Sequence, residues 1–202
     1  MKHLSKLLLS ILLTLSSTAC VSFSTLQTPK VLENDEKTFG LGITSPIDQD
    51  ELVPIPELYL RWAAFQDIDM GAKVTGIPFA LGVIGMDIKY QALTIDSSFY
   101  VSLDFGLSHS SGDFGSTIGY SPAILLGNER IFGGAKLIIA DIENDDGFLG
   151  SKKGETIGTI SEIFIGTSIG DKWRIMPVAN LMFSDDFKES IFLATIGFEY
   201  RF

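Results

Sequence analysis

Ser190-Ile-Phe-Leu-Ala-Thr-Ile-Gly-Phe-Glu-Tyr-Arg-Phe202 closes the sequence, and its reading decides the fold. Every second residue back from the end is apolar or aromatic: Phe202, Tyr200, Phe198, Ile196, Ala194, Phe192. The interleaved set runs Arg201, Glu199, Gly197, Thr195, Leu193, Ile191 and is charged, small or polar over its last four members. A period of two with unlike faces marks a β-strand between two different environments.

The same alternation recurs upstream. It predicts strands over Lys37–Thr44, Glu57–Gln66, Ile68–Gly76, Gly82–Leu93, Phe99–Ser108, Ser116–Leu126, Arg130–Ile142, Thr156–Ile169 and Trp173–Ser184. With the last strand that makes about ten, within a range of about eight to twelve. The cleanest is the fifth, where Phe99, Val101, Leu103, Phe105 and Leu107 oppose Tyr100, Ser102, Asp104 and Gly106. The eighth alternates poorly, which leaves its register open. Short turns follow the even strands, at Gln66-Asp67, Ile95-Asp-Ser97, Gly127-Asn-Glu129 and Gly170-Asp-Lys172. The long acidic connections all follow odd strands.

Composition narrows the choices. Of 202 residues 46% are hydrophobic, yet past residue 20 no apolar run is long enough for a transmembrane helix. Hydrophobicity spread as alternation is what a transmembrane β-barrel requires. A net charge of −10 argues against a nucleic-acid partner, which needs a basic footprint. The single Cys excludes an intrachain disulfide.

The last strand resembles the closing strand of the bacterial outer-membrane β-barrel superfamily, which includes small porin-like and OmpA-type barrels. Phe198, Tyr200 and Phe202 match that superfamily's terminal aromatic pattern. The resemblance implies recognition by the barrel-assembly machinery and a location in the outer membrane. The expected fold is therefore all-β: a closed antiparallel up-and-down transmembrane barrel over 37–202. Short turns on the periplasmic side, long loops outside and an even strand count place both the N- and C-termini in the periplasm.

Residues 1–19 read as a signal peptide, with Lys2 and Lys6 ahead of the apolar run Leu7–Leu15 and a small-residue end at Ser16–Ala19. Cys20 follows Ala19 directly. This resembles a bacterial lipoprotein signal, although Ser17 stands where Leu is usual. The resemblance implies acylation of Cys20, palmitate included, and anchoring in outer-membrane lipid at about 0.8 kcal/mol per buried CH₂. Residues 20–36 read as a flexible tether, from Ser, Thr, Gln, Pro29, Asn34 and mixed charges.

Glu57, Arg61, Lys73, Asp87, Lys89, Asp104 and Arg174 alternate with the apolar positions. An unpaired charge facing lipid costs about 2–4 kcal/mol at the midplane, so these residues are expected in the lumen as a paired network. Periodicity alone fits a soluble barrel equally well, with apolar residues inside. At about ten strands the interior is narrow. Arg61, Lys73, Tyr59 and Tyr100 should plug it or nearly so, against general diffusion.

Chemistry is sparse. His109 and Ser111 have the spacing of a base and nucleophile in some outer-membrane lipid hydrolases, but they fall in a predicted polar loop, His109–Gly115, with only Asp113 as an orienting candidate. Asp141–Gly147 looks like a calcium loop but places its Gly one position late and has Lys152 at the twelfth position. No metal site and no cofactor are expected. The resulting expectation is a non-enzymatic outer-membrane barrel, lipid-anchored, with a structural or surface-interaction role. The alternatives are a lipid hydrolase using His109 and Ser111, a narrow solute channel, and a lipocalin-like carrier.

Overall fold

The computed structural model describes residues 25–47, 54–77, 81–112, 115–143, 155–184 and 190–202. The predicted signal peptide, Cys20, Asp113 and the acidic stretch from residue 144 lie outside them. Ten strands follow one another: β1 Lys37–Pro46, β2 Ile55–Phe65, β3 Ile68–Ile77, β4 Leu81–Ile95, β5 Phe99–Gly112, β6 Gly115–Gly127, β7 Ile131–Glu143, β8 Glu155–Thr167, β9 Trp173–Phe183 and β10 Ile191–Arg201. Each pairs antiparallel with its sequence neighbour, and β1 pairs with β10, so the sheet closes and leaves no edge. Closure runs from Thr38 opposite Arg201 to Pro46 opposite Leu193.

The turns after even strands have the chemistry their tightness demands. Asp96 and Ser97 both take positive φ, as does Asp67 in the β2–β3 turn. Paired positive φ values match the right-handed twist of a hairpin. Gly127, at φ 127°, opens the β6–β7 turn, and Asn128 caps it by accepting from the N–H groups of Arg130 and Ile131. All these turns, the start of β1 and the end of β10 share one end, here the turn end. The opposite, loop end carries the connections at 47–54, 144–154 and 184–190.

The alternation resolves into an inside-out protein. Leu41, Leu60, Ile88, Phe105, Ile124 and Phe198 are exposed on the outer wall, while Thr38, Glu57, Asp69, Lys89, Ser102 and Asn180 are buried inside. A ten-residue strand rising about 3.4 Å per residue at a tilt of about 40° climbs about 26 Å, the height of a membrane-spanning apolar band. Phe65, Tyr90, Phe99, Trp173 and Phe202 ring the outer wall at the turn end. Trp173 packs on Tyr200 with ring centroids 4.5 Å apart, and Tyr200 stacks on Phe202 at 5.8 Å. Such a girdle suits a membrane–water boundary.

Three expectations need correction. The loop expected at His109–Gly115 is mostly strand: β5 runs to Gly112 and β6 starts at Gly115, so His109 lies on the sheet opposite Ile84 and Ile118. The eighth strand ends at Thr167, and Ile169 makes only an isolated bridge to Ile175. Finally, residues 25–32 are no flexible tether. Thr25, Leu26, Gln27, Thr28, Val31 and Leu32 are all buried within the cylinder. Their polar composition suits them to a polar lumen as well as to water, and composition cannot distinguish the two.

Candidate functional site

The lumen is the one enclosed volume this fold creates, and its own chain runs through it. The segment enters beside β1 at the turn end and climbs. Leu32 N–H donates to Asp69 and Val31 N–H to Gln91, near the ends of β3 and β4. Lys89 donates to the carbonyls of Thr28 (2.8 Å) and Lys30 (3.1 Å), and Ser102 donates to that of Pro29. Higher up, Gln27 donates to Asp104 at 3.0 Å and Thr25 to Asn180 at 3.5 Å. The segment cannot join the wall's ladder, whose backbone groups are already used. Gln27 N–H turns back on the Thr25 carbonyl at 2.8 Å, and wall side chains take further peptide groups, as buried peptides require.

Leu26 explains the small residues on the facing wall. Gly42 and Gly197 are register partners on β1 and β10, and Leu26 lies over both. A Cβ on Gly197 would stand 2.6 Å from Leu26 Cδ2 and 3.0 Å from Cδ1, inside contact distance. Leu26 joins Tyr59, Leu125, Phe132, Phe164, Met176 and Val178 in an apolar sector contributed mainly by β6–β9. A second sector near the loop end holds Ile55, Ile138, Ala140, Ile160, Met182 and Leu193.

Most of the charges occupy the other side, on β2–β5. Arg61 pairs with both Asp69 and Asp87, Lys89 with Asp69 at 3.0 Å, and Lys73 with Asp87 at 3.9 Å. Of the seven residues expected in the lumen, four therefore join one chain of ion pairs, Lys89–Asp69–Arg61–Asp87–Lys73, through Asp69, which alternation also placed on that face. Glu57 accepts from Thr75, and Asp104 holds Gln27. Arg174 stands apart at the turn-end rim, paired with Glu129 (3.1 Å) and Glu199 (3.8 Å). Glu129 also binds Lys30 at 2.8 Å and Arg201 at 3.5 Å. Burial alone would push the Glu129 carboxyl up. Its bond to Lys30 and the charges of Arg201 and Arg174 hold it below the ordinary carboxylate range instead.

Lys136 and Glu162, 3.7 Å apart, form a further buried pair that sequence reasoning passed over. Inward-facing Ile138, Ile160 and Phe164 make β7 and β8 apolar on both sides, and this hides the pair's parity. The plug residues were missed altogether. The available signal was the pair of small residues at inward positions Gly42 and Gly197, which calls for something close by.

Voids along the segment have cavity volumes of about 10, 20 and 10 Å³. Each holds about a water, not a solute. His109 is exposed on the outer wall, with no acidic partner among the described residues.

No family model and no curated protein matches the chain. Among solved structures it is similar to the KdgM porin in complex with disordered oligogalacturonate, at 12% identity and TM-score 0.42, covering 83% of this chain and 99% of that one. It is also similar to the translocator domain of the autotransporter NalP from Neisseria meningitidis, at 11% identity and TM-score 0.42, covering 85% and 89%. The N-terminal barrel domain of Pseudomonas aeruginosa OprF gives 9% identity and TM-score 0.37, covering 84% and 98%. The fold is a closed ten-stranded antiparallel up-and-down β-barrel, apolar outside and polar within. Its outer wall is apolar and its lumen is filled by its own residues 25–32.

Proposed function

We propose that the protein is a sealed barrel of the bacterial outer membrane that serves as a structural or surface-interaction element, presenting its long loops, rather than as a diffusion channel. The carrying observation is the buried segment 25–32, tied to the wall from Asp69 near one end to Asn180 near the other. The outer faces of Phe198, Tyr200 and Phe202 supply the pattern that the assembly machinery would read. Cys20 is the proposed lipid-attachment residue, supported by the lipoprotein-like sequence before it; fatty-acid label lost in Cys20→Ala tests it. The sealed reading is tested by liposome swelling with the folded full chain. No entry of monosaccharides is expected, and swelling at the rate of a general porin would contradict the reading.

The hydrolase reading draws on one observation, that His109 and Ser111 lie two residues apart on the same strand. It lacks a carboxylate to orient His109 among the described residues. His109→Ala is expected to leave any phospholipase activity of the purified protein unchanged, and loss of activity in that variant would revive the reading.

A further inference from the structure

The wall is complete without residues 25–32. Its ladders run from each strand to the next and close from β1 to β10, with no rung through the segment. Its buried charges neutralise one another: Arg61 with Asp69 and Asp87, Lys89 with Asp69, Lys136 with Glu162. Thr44 bonds Thr195 and Thr75 donates to Glu57, again wall to wall. Among the described residues, the segment's one ion pair with the barrel is Lys30 to Glu129 at the turn-end rim.

The segment is held as a peptide ligand is held. Lys89 and Ser102 donate to its carbonyls, Asp69 and Gln91 accept from its N–H groups, and Leu26 fills the slot over Gly42 and Gly197. The fit is loose on the charged side. Gln27 borders all three voids, which run from Arg174 and Arg201 at the rim, past Arg61, to Ser108 and Ser121. Gln27 Oε1 and Asp104 Oδ1 are buried without a hydrogen-bond partner among the described residues. Water-sized voids beside such acceptors make a contact that water can enter and the segment can leave. Beyond Thr25 the inward side chains Thr75, Ser108, Ser110 and Thr117 are small and polar.

Resting on the transmembrane reading above, we propose that residues 25–32 are a separable plug and that the wall around them is a latent pore for small ions. An extended chain is about 5 Å wide between neighbouring strands and about 10 Å deep through its side chains. Its departure leaves a polar path of that section, which passes water and small ions. The barrel is closed while the plug is seated and conducts when it is out. Water then takes over the bonds of Lys89, Ser102 and Asp104, and the ion pairs of the wall stay as they are.

The test records single-channel currents of the full chain in planar bilayers of diphytanoyl phosphatidylcholine, with heat-modifiable mobility reporting folding. Leu26→Asp puts a carboxylate into the apolar slot and alters only the plug. Lys89→Met removes the bonds to the Thr28 and Lys30 carbonyls from the wall side. The wild-type chain is expected to stay closed, and both variants to show discrete openings, with an open fraction raised on the order of a hundredfold in Lys89→Met. A synthetic peptide of the sequence Thr25–Leu32 should shorten the openings of Leu26→Asp, and the same peptide carrying Leu26→Asp should not. Silence of both variants, folded and inserted, overturns the proposal. So do openings that the peptide leaves unchanged. Loss of the folded barrel in both variants overturns it as well, because the wall would then depend on the segment. A wild-type chain that conducts as the variants do overturns it together with the sealed reading and leaves the transmembrane reading standing. A chain that never inserts removes the transmembrane reading too.

Discussion

Replacing Lys89 with Met should release the segment in the lumen while leaving the wall closed. Lys89 is 1% exposed, and its ammonium spends its three donors on Asp69, the Thr28 carbonyl and the Lys30 carbonyl. Methionine keeps most of the volume and removes all three bonds. Breaking a buried pair from one side costs about 3–5 kcal/mol, and each buried carbonyl left unpaired costs about 1–3 kcal/mol more. Arg61 still neutralises Asp69, so the pair cost largely drops out and the two carbonyls set a working figure of about 3 kcal/mol. At about 1.4 kcal/mol per decade, the released population rises on the order of a hundredfold. Trypsin cleavage after Lys30 tracks that population while the barrel stays folded. The assay compares cleavage rates at Lys30 in the detergent-solubilised chain, with heat-modifiable mobility confirming an intact barrel. A Lys89→Met rate within threefold of the wild-type rate, which at about 1.4 kcal/mol per decade is well under 1 kcal/mol, would refute the argument that Lys89 holds the segment.

Gly197→Leu should displace Leu26, whose methyl groups occupy the space the new side chain needs, and so raise cleavage at Lys30 as Lys89→Met does; an unchanged rate would contradict the packing. Glu129 gives a pH dependence of definite sign. Its folded carboxyl titrates below its ordinary value of about 4.5, so its contribution is present above that value and fades as pH falls through the lowered one. Hydrogen exchange of residues 25–32, corrected for intrinsic rates, should therefore speed up on acidification, and Glu129→Gln should flatten that step.

Much of the wall was legible because one physical rule wrote it. Where a strand separates lipid from a polar interior, as in Phe99–Leu107, the two faces differ in kind and the register follows. The rule weakens at β8, where Ile160 and Phe164 face inward beside outward Ile163 and Ile165. An apolar interior sector erases the contrast that alternation depends on. Charge pairing was partly legible: parity brought Arg61, Lys73, Asp87 and Lys89 to one face, but only the sheet's register links Lys89 to Arg61 through Asp69. The plug was not legible, because Thr25–Leu32 carries no periodicity. Its conformation comes from wall side chains far away in sequence, such as Ser102 and Asn180. Those partners are visible only once the cylinder has closed.

The account depends on which way the apolar face looks, and the two tryptophans report on it directly. Trp62 and Trp173 both lie on the outer wall at the turn end, Trp173 with 74% of its surface exposed. In vesicles containing lipids brominated near the headgroup, their fluorescence should be strongly quenched by the lipid and shielded from aqueous acrylamide. A chain that stays monodisperse without detergent, with tryptophans unmoved by brominated lipid, would contradict the account.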